Sequence, residues 1–184
     1  NGAELKQMLY YMEKDQQGPL AVRFPKAEEL IDNLNLEVDI EKLEPEIIPS
    51  HKLNNYDLGI ITIGITRTIG IEVQEKLKKQ GITSVVIAIR WVRPLAKEFL
   101  EETLKNVNHF IFIEDSYEFA SASMAILEQL SLKGKHIRTF AFPSIPIEHG
   151  TRSEIFDKYG ISSEKITNYL LEYIKKIDKI KNII

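Results

Sequence analysis

Arg23 is the residue in this sequence most suited by type and setting to hold an anion. In "GPLAVRFPK", residues 18–26, it ends a short apolar run and is followed at one remove by Pro25, whose ring fixes the backbone. A planar guanidinium positioned this way forks two hydrogen bonds onto a phosphate or a carboxylate. The same setting serves an ordinary structural salt bridge, and the residues alone leave both readings open. A second candidate is "IEHGTRSEIF", where Glu148 and His149 lie in a loop ahead of a helix. His149 beside Glu148 has the composition of a general acid or base. Against that, Thr151 as N-cap and Glu154 three residues on make a capping box, and Gly150 sets a turn. With no nucleophile or metal ligand close by in sequence, the segment reads as a structural turn in which His149 bonds neighbouring backbone.

Two further stretches carry weaker chemistry. "IRWVRPL" places Arg90, Trp91 and Arg93 before Pro94, read as a helix start, at the C-terminal end of a strand. Ligands bind at that end of open α/β sheets, but arginine with tryptophan also marks protein interfaces and side-chain packing, and these weigh more here. "GITRTIG" follows an apolar strand run, yet it matches neither GxGxxG nor GxxxxGK[ST]. Thr66 and Thr68 therefore read as helix caps, although the amides they cap would also suit an anion.

The elements that must position these residues follow from periodicity. "LGIITIGI" (58–65) and "SVVIAI" (84–89) are β-branched runs with no polar face, as expected of strands buried on both sides. "HFIFIED" (109–115) and "IRTFAF" (137–142) make a third and fourth strand. Between them lie a helix carrying Ile69, Val73 and Leu77 that stops at Gly81, a helix over 96–106, and the small-residue helix "ASASMAILEQL". Helices over 153–160, stopped by Gly160, and 163–180, capped by Ser162 or Ser163, close the sequence. The last one is amphipathic, with Lys175, Lys176, Lys179 and Lys181 on a solvated side and toward its C-terminal end. Strands alternating with helices in this way predict right-handed crossovers in a three-layer, mostly parallel α/β sheet over residues 56–184. Residues 1–26 stand outside that rhythm: a helix over 1–14 with Asn1 as its N-cap, then "LAVRF" as a strand with no partner in sequence. Residues 27–55, acidic and broken by Pro45 and Pro49, read as an interdomain linker.

Composition excludes several classes of function. The 184 residues are 43% hydrophobic and 28% charged with a net charge of −3, a balance that gives no overall attraction to nucleic acid or anionic membrane. There is no cysteine, so disulfides, thiolate metal sites and a cysteine nucleophile are all absent. His51, His109, His136 and His149 lie far apart without metal-ligand spacing. No apolar run is long enough to cross a bilayer, and a cytoplasmic location is expected.

Taken in order, "AELKQMLYYMEKDQQGPLAVRFPK", "IRWVRPL", "FIFIED" and above all "FPSIPIEHGTRSEIFDKYGISSEKI" resemble the C-terminal part of the 1-deoxy-D-xylulose 5-phosphate synthase family, within the transketolase superfamily. The resemblance spans nearly the whole sequence. It implies that residues 1–26 are the tail of a pyrimidine-binding domain, that 56–184 are a transketolase C-terminal domain, and that the protein is a fragment. It implies a full-length homodimer that uses thiamine diphosphate and magnesium to join pyruvate to glyceraldehyde 3-phosphate with loss of carbon dioxide. On this resemblance Arg23 matches the family arginine that grips the triose phosphate. The resemblance places no catalytic, cofactor or metal ligand among these residues, so the fragment alone is expected to be inactive and to bind no cofactor. The sequence departs from the family at Ala88, Ala96, Phe119–Ser123, Ser144 and Pro146, which bears on donor and acceptor more than on fold. Two other readings stand beside this one. The first is the C-terminal domain of a transketolase or of a 2-oxo acid dehydrogenase β-chain; the second is a free-standing α/β interaction module, which leaves the opening helix and "LAVRF" unexplained.

Overall fold

Strands whose side chains are apolar on both faces must be covered on both faces, and the computed structural model shows how this protein does so. It describes residues 2–14, 18–25, 39–49, 55–119, 121–130 and 134–181, with side chains to residue 177. The expected Asn1 cap, most of the linker, Ala120 and the side chains of Lys179 and Lys181 lie outside the described residues. The protein divides into two units, 1–44 and 45–184.

In the first unit, helix α1 (Gly2–Lys14) forms where Leu5, Met8 and Met12 recur at helical spacing, and none of its residues is fully buried. A 3₁₀ turn at Ile40–Lys42 is capped by Asp39, whose carboxylate accepts from the Glu41 N–H at 3.2 Å. The expected strand at "LAVRF" is not one. Residues 18–25 carry no regular structure, although Leu20 and Val22 are half-buried while Ala21 and Arg23 are exposed. That period of two is a strand's side-chain pattern without the hydrogen-bonded neighbour a strand requires.

The second unit holds a five-stranded sheet in the order β1-β3-β2-β4-β5. Its strands are β1 (Glu46–Ile48), β2 (Leu58–Ile63), β3 (Ser84–Ile89), β4 (His109–Tyr117) and β5 (His136–Phe142). All neighbours are parallel except β1, which runs antiparallel along β3. The linker reading of 27–55 therefore fails at its end: Glu46–Ile48 is an edge strand of the sheet. Gln74 holds it there, its side-chain amide donating to the carbonyls of Ile48 and Ser84, each at 2.8 Å.

The helices are α2 (Arg67–Lys78), α3 (Lys97–Leu104), α4 (Ala122–Leu127), α5 (Arg152–Lys158) and α6 (Ser163–Lys181). Alternate residues of the central strands face opposite cores. Leu58, Ile60, Ile111 and Ile113 pack with Val73 and Leu77 of α2, Phe156 of α5 and Ile166 and Leu170 of α6. Ile61, Phe110 and Phe112 pack on the other side with Leu100 and Leu104 of α3 and Ile126 of α4. The three layers expected from the sequence are thus present, with α2, α5 and α6 on one face and α3 and α4 on the other. Pro94 does not start a helix: α3 begins at Lys97.

Glycines end two helices as read from the sequence. Gly81 (φ +78°) and Gly160 (φ +77°) take the left-handed conformation, and Ile82 and Ile161 donate back to Leu77 and Phe156 at 3.1 and 2.7 Å. This is the six-to-one bond of a Schellman motif. Gly70 has a different role. It lets α2 lie against the sheet, because a Cβ there would sit 2.5 Å from Thr62 Cγ2 and 3.4 Å from Ile60 Cγ2. Gly70→Ala should therefore lower stability by about 1–3 kcal/mol through overpacking, despite alanine's better helix propensity; urea denaturation of the two proteins gives the difference, and a stabilised variant would contradict the close packing.

Candidate functional site

In an open α/β sheet the place to look is the switch point, where successive crossovers leave a central strand in opposite directions. Here β2 is followed by β3 on one side and by β4 on the other, so the switch lies at the carboxyl ends of β2 and β4. Polar side chains of the domain itself fill it. Thr66 is fully buried; its hydroxyl donates to the Ile113 carbonyl at 2.6 Å and accepts from the Ile63 N–H at 3.2 Å. Thr66 takes the expected N-cap position of α2, but its side chain makes no cap bond there and instead stitches β2 to β4; Thr68 caps nothing and donates to the Ile65 carbonyl at 2.9 Å.

Glu114, at the end of β4, is 1% exposed. A buried carboxylate needs donors on its oxygens. Ala122 and Ser123 supply backbone N–H groups at 3.1 and 3.3 Å, and the Ser123 hydroxyl donates at 2.5 Å. The Ser121 hydroxyl accepts from the Met124 N–H at 3.2 Å. Together these groups satisfy the first turn of α4, with a negative charge at the helix end that favours it. Sequence reasoning takes Glu114 only as part of "FIFIED" and misses this role. Acidic residues closing an apolar strand shortly before the serine-rich "SAS" are the signal that could have found it.

The block containing His149 is fixed from several sides. Thr151 and Glu154 form the expected capping box: the Glu154 carboxylate accepts from the Thr151 N–H at 2.9 Å and its hydroxyl at 2.7 Å, and Thr151 Oγ1 accepts from the Glu154 N–H at 3.3 Å. Arg152 lies 3.8 Å from Asp115 at the end of β4. Glu148 accepts from Lys158 Nζ and, at 2.7 Å, from the Tyr159 hydroxyl. Those two donors, Lys158 first, hold its carboxyl down to about 2 and raise the Lys158 and Tyr159 pKa values in turn. Glu148 is therefore committed to α5 and its end rather than to His149. His149 is exposed, and among the described residues it makes no hydrogen bond, ion pair or ring contact, so the expected bond to neighbouring backbone is not formed.

On "IRWVRPL", Arg90 and Trp91 are half-buried and Arg93 is exposed. Arg23, in the first unit, is exposed in the strandless segment 18–25. Arg67, which nothing in its sequence context singles out, makes a forked ion pair: its Nε and Nη2 donate to the two oxygens of Glu46 at 2.6 and 2.8 Å, locking β1 to the start of α2. Among the described residues no three histidine or acidic side chains converge to hold a metal. Buried Thr66 and Glu114 lie at the switch point. Among the groups exposed at this end of the sheet are three large apolar ones, Tyr117 (46%), Phe119 (76%) and Ile145 (53%).

A family model described as the transketolase C-terminal domain matches residues 51–166. The 1-deoxy-D-xylulose-5-phosphate synthase of Geobacillus sp. (strain WCH70) is 27% identical over 187 residues, covering 98% of this chain and 27% of its own length. That of Desulfotalea psychrophila (strain LSv54 / DSM 12343) is 30% identical over 179 residues, covering 95% of this chain and 27% of its own length. The chain thus spans about a quarter of the length of these curated relatives. Among solved structures, a split gene transketolase in an inactive β4 tetramer aligns with a TM-score of 0.56 at 18% identity, covering 64% of this chain and 39% of that one. The transketolase of Campylobacter jejuni subsp. jejuni NCTC 11168 aligns at 0.50 and 17%, covering 72% and 19%. At these identities the likeness to solved structures is one of fold.

Two outcomes follow from the polar pins. Glu114→Gln, which keeps the shape but removes the charge from the α4 amides, should cost about 1–3 kcal/mol in urea unfolding at neutral pH; an unchanged midpoint would mean the carboxylate does not hold the helix. Because the folded Glu148 carboxyl lies at about 2, below its ordinary 4.5, its stabilising contribution is complete above the ordinary value and is lost as pH falls through the folded one. Carboxyl-carbon NMR titration should find that low value, and Lys158→Met should bring it back toward 4.5; an unmoved value in the variant would remove Lys158 as the cause.

Proposed function

The chain belongs to the transketolase C-terminal domain family, and from that premise we propose that it is the C-terminal part of a thiamine-diphosphate-dependent 1-deoxy-D-xylulose 5-phosphate synthase. One observation carries the reading: the curated synthases align along 95–98% of this chain while it accounts for 27% of them. In this reading the complete enzyme condenses pyruvate with glyceraldehyde 3-phosphate, works as a cytoplasmic homodimer, and binds thiamine diphosphate and magnesium in parts of the enzyme other than these residues. When bound, the cofactor supplies the carbanion chemistry of decarboxylation.

Residues 45–184 then act as a scaffold. The closed switch point supports this role, as do exposed Tyr117, Phe119 and Ile145, apolar groups suited to packing against the rest of the enzyme. Arg23 is the substrate contact. The alternation of Leu20 and Val22 with Ala21 and Arg23 suits a strand that completes a neighbouring sheet, with Pro25 fixing the turn beyond it. Set in that sheet, the guanidinium forks onto the phosphate of the triose and aims the aldehyde, so binding energy is used for orientation.

Steady-state kinetics test this directly. The 184-residue protein should show no turnover of the two substrates with thiamine diphosphate and magnesium added, and turnover by it would sink the partial-enzyme reading. In the complete enzyme, Arg23→Ala should raise the KM for glyceraldehyde 3-phosphate about tenfold or more, the scale of losing charge-assisted hydrogen bonds worth roughly 1.5–3 kcal/mol. The KM for pyruvate should change little; equal effects on both substrates would remove Arg23 from the phosphate.

A further inference from the structure

At the end of the sheet opposite Thr66 and Glu114, the first residues of β4 and β5 meet α6 around a groove of about 260 Å³. Its lining is unusual for a surface that also holds the ends of two strands. His109 and His136 are register partners across β4 and β5, and their imidazoles stack with centroids 4.9 Å apart and planes within 8°. Tyr173 packs edge-on to His109, its hydroxyl 3.1 Å from Nδ1. Tyr169 lies parallel to Tyr173 at 6.2 Å. The Arg138 guanidinium is 5.3 Å from the Tyr169 ring centre and 5.9 Å from that of Phe140. Leu170 and Ile111 contribute apolar floor.

The charges decide what this groove suits. Lys135, just before β5, is already committed: its ammonium donates to the carbonyls of Leu104, Lys105 and Val107 at 3.2, 2.9 and 2.6 Å. Arg138 is different. It is exposed, and among the described residues it has ring contacts but neither a carboxylate nor a carbonyl partner. Lying over aromatic faces, a guanidinium keeps its N–H groups for a second partner, and the partner it fits best is a planar or tetrahedral oxyanion. Among the described residues no carboxylate lines the groove, whose polar groups are the two imidazoles, the two phenols and this one cation. The volume falls just under the roughly 300–1,000 Å³ of drug-sized ligand pockets, which limits the occupant to one ring with a small substituent.

We propose that this groove is a binding site for a small aromatic anion, one ring bearing a single phosphate or carboxylate. The ring lies among the histidine and tyrosine rings, and the anionic oxygens meet Arg138. Nothing in the condensation of pyruvate with a triose phosphate requires such a site, so failure of the groove to bind leaves the catalytic reading untouched, and the reverse also holds.

Calorimetric titration of the protein with phenyl phosphate, benzoate and inorganic phosphate tests it. Phenyl phosphate or benzoate should bind at one site per molecule, at least tenfold tighter than inorganic phosphate, and the tighter of the two identifies the anionic group. Arg138→Gln should weaken that binding about tenfold with an unchanged circular dichroism spectrum, while Arg138→Lys should retain part of it. In the unsubstituted protein the ring-proton resonances of His109 and His136 should shift on adding the tighter ligand, a readout that does not depend on any variant folding. No heat with either aromatic anion, equal affinity for inorganic phosphate, full affinity in Arg138→Gln, or unmoved histidine resonances would overturn the proposal.

Discussion

The burial of β2 and β4 on both faces is the constraint from which the second unit is built. Leu58 and Ile60 point one way and Ile61 the other; Ile111 and Ile113 point one way and Phe110 and Phe112 the other. Neither set can be left to water at roughly 25 cal/mol per Å² of apolar surface, so helices must lie on both sides, and parallel strands need crossovers long enough to supply them. Even small features follow from this. Gly59 has no side chain because a Cβ there would come within 2.6 Å of the Phe110 ring, just as Gly70 is bare beneath α2. The backbone is placed by the fit of large residues around missing ones.

Polar groups then finish what burial begins, several of them toward the carboxyl ends of the strands. Thr66 ties β2 to β4, Glu114 holds α4, Asp115 faces Arg152, and Glu148 binds Lys158 and Tyr159. Each pin occupies a group that elsewhere in such sheets is presented to a ligand. Their settings differ: Glu114 is buried, whereas the Glu148 clamp is exposed and screened by solvent.

Much of this is legible in the sequence because burial writes a periodic record. The four parallel strands, the helices between them, the stops at Gly81 and Gly160 and the Thr151–Glu154 box all follow from spacing and cap chemistry. Three kinds of feature do not. Glu46–Ile48 is three residues flanked by prolines, too short for any period, and its pairing with β3 is a tertiary fact. Thr66 has the residue type of a cap, and only the neighbouring strand explains why its hydroxyl turns to Ile113. The meeting of His109, His136, Arg138 and Tyr173 depends on parallel register, which brings together residues that sequence separates. "LAVRF" errs the other way: its pattern is a strand's, but a strand is defined by its neighbour, and among the described residues no neighbour pairs with it.

The antiparallel β1 also changes what the sheet shows to other molecules. Without it, β3, five residues of unbroken Val, Ile and Ala after Ser84, would present its free amides and carbonyls as a flat, greasy edge, the kind that recruits further strands from other molecules. β1 covers that edge with three residues, is clamped by Glu46 to Arg67 and by Ile48 to Gln74, and runs straight into Pro49, which has no N–H to offer. The new edge is therefore short and ends in a residue that cannot extend a ladder. What reads in the sequence as a broken, proline-rich connection is the sheet's own guard against aggregation.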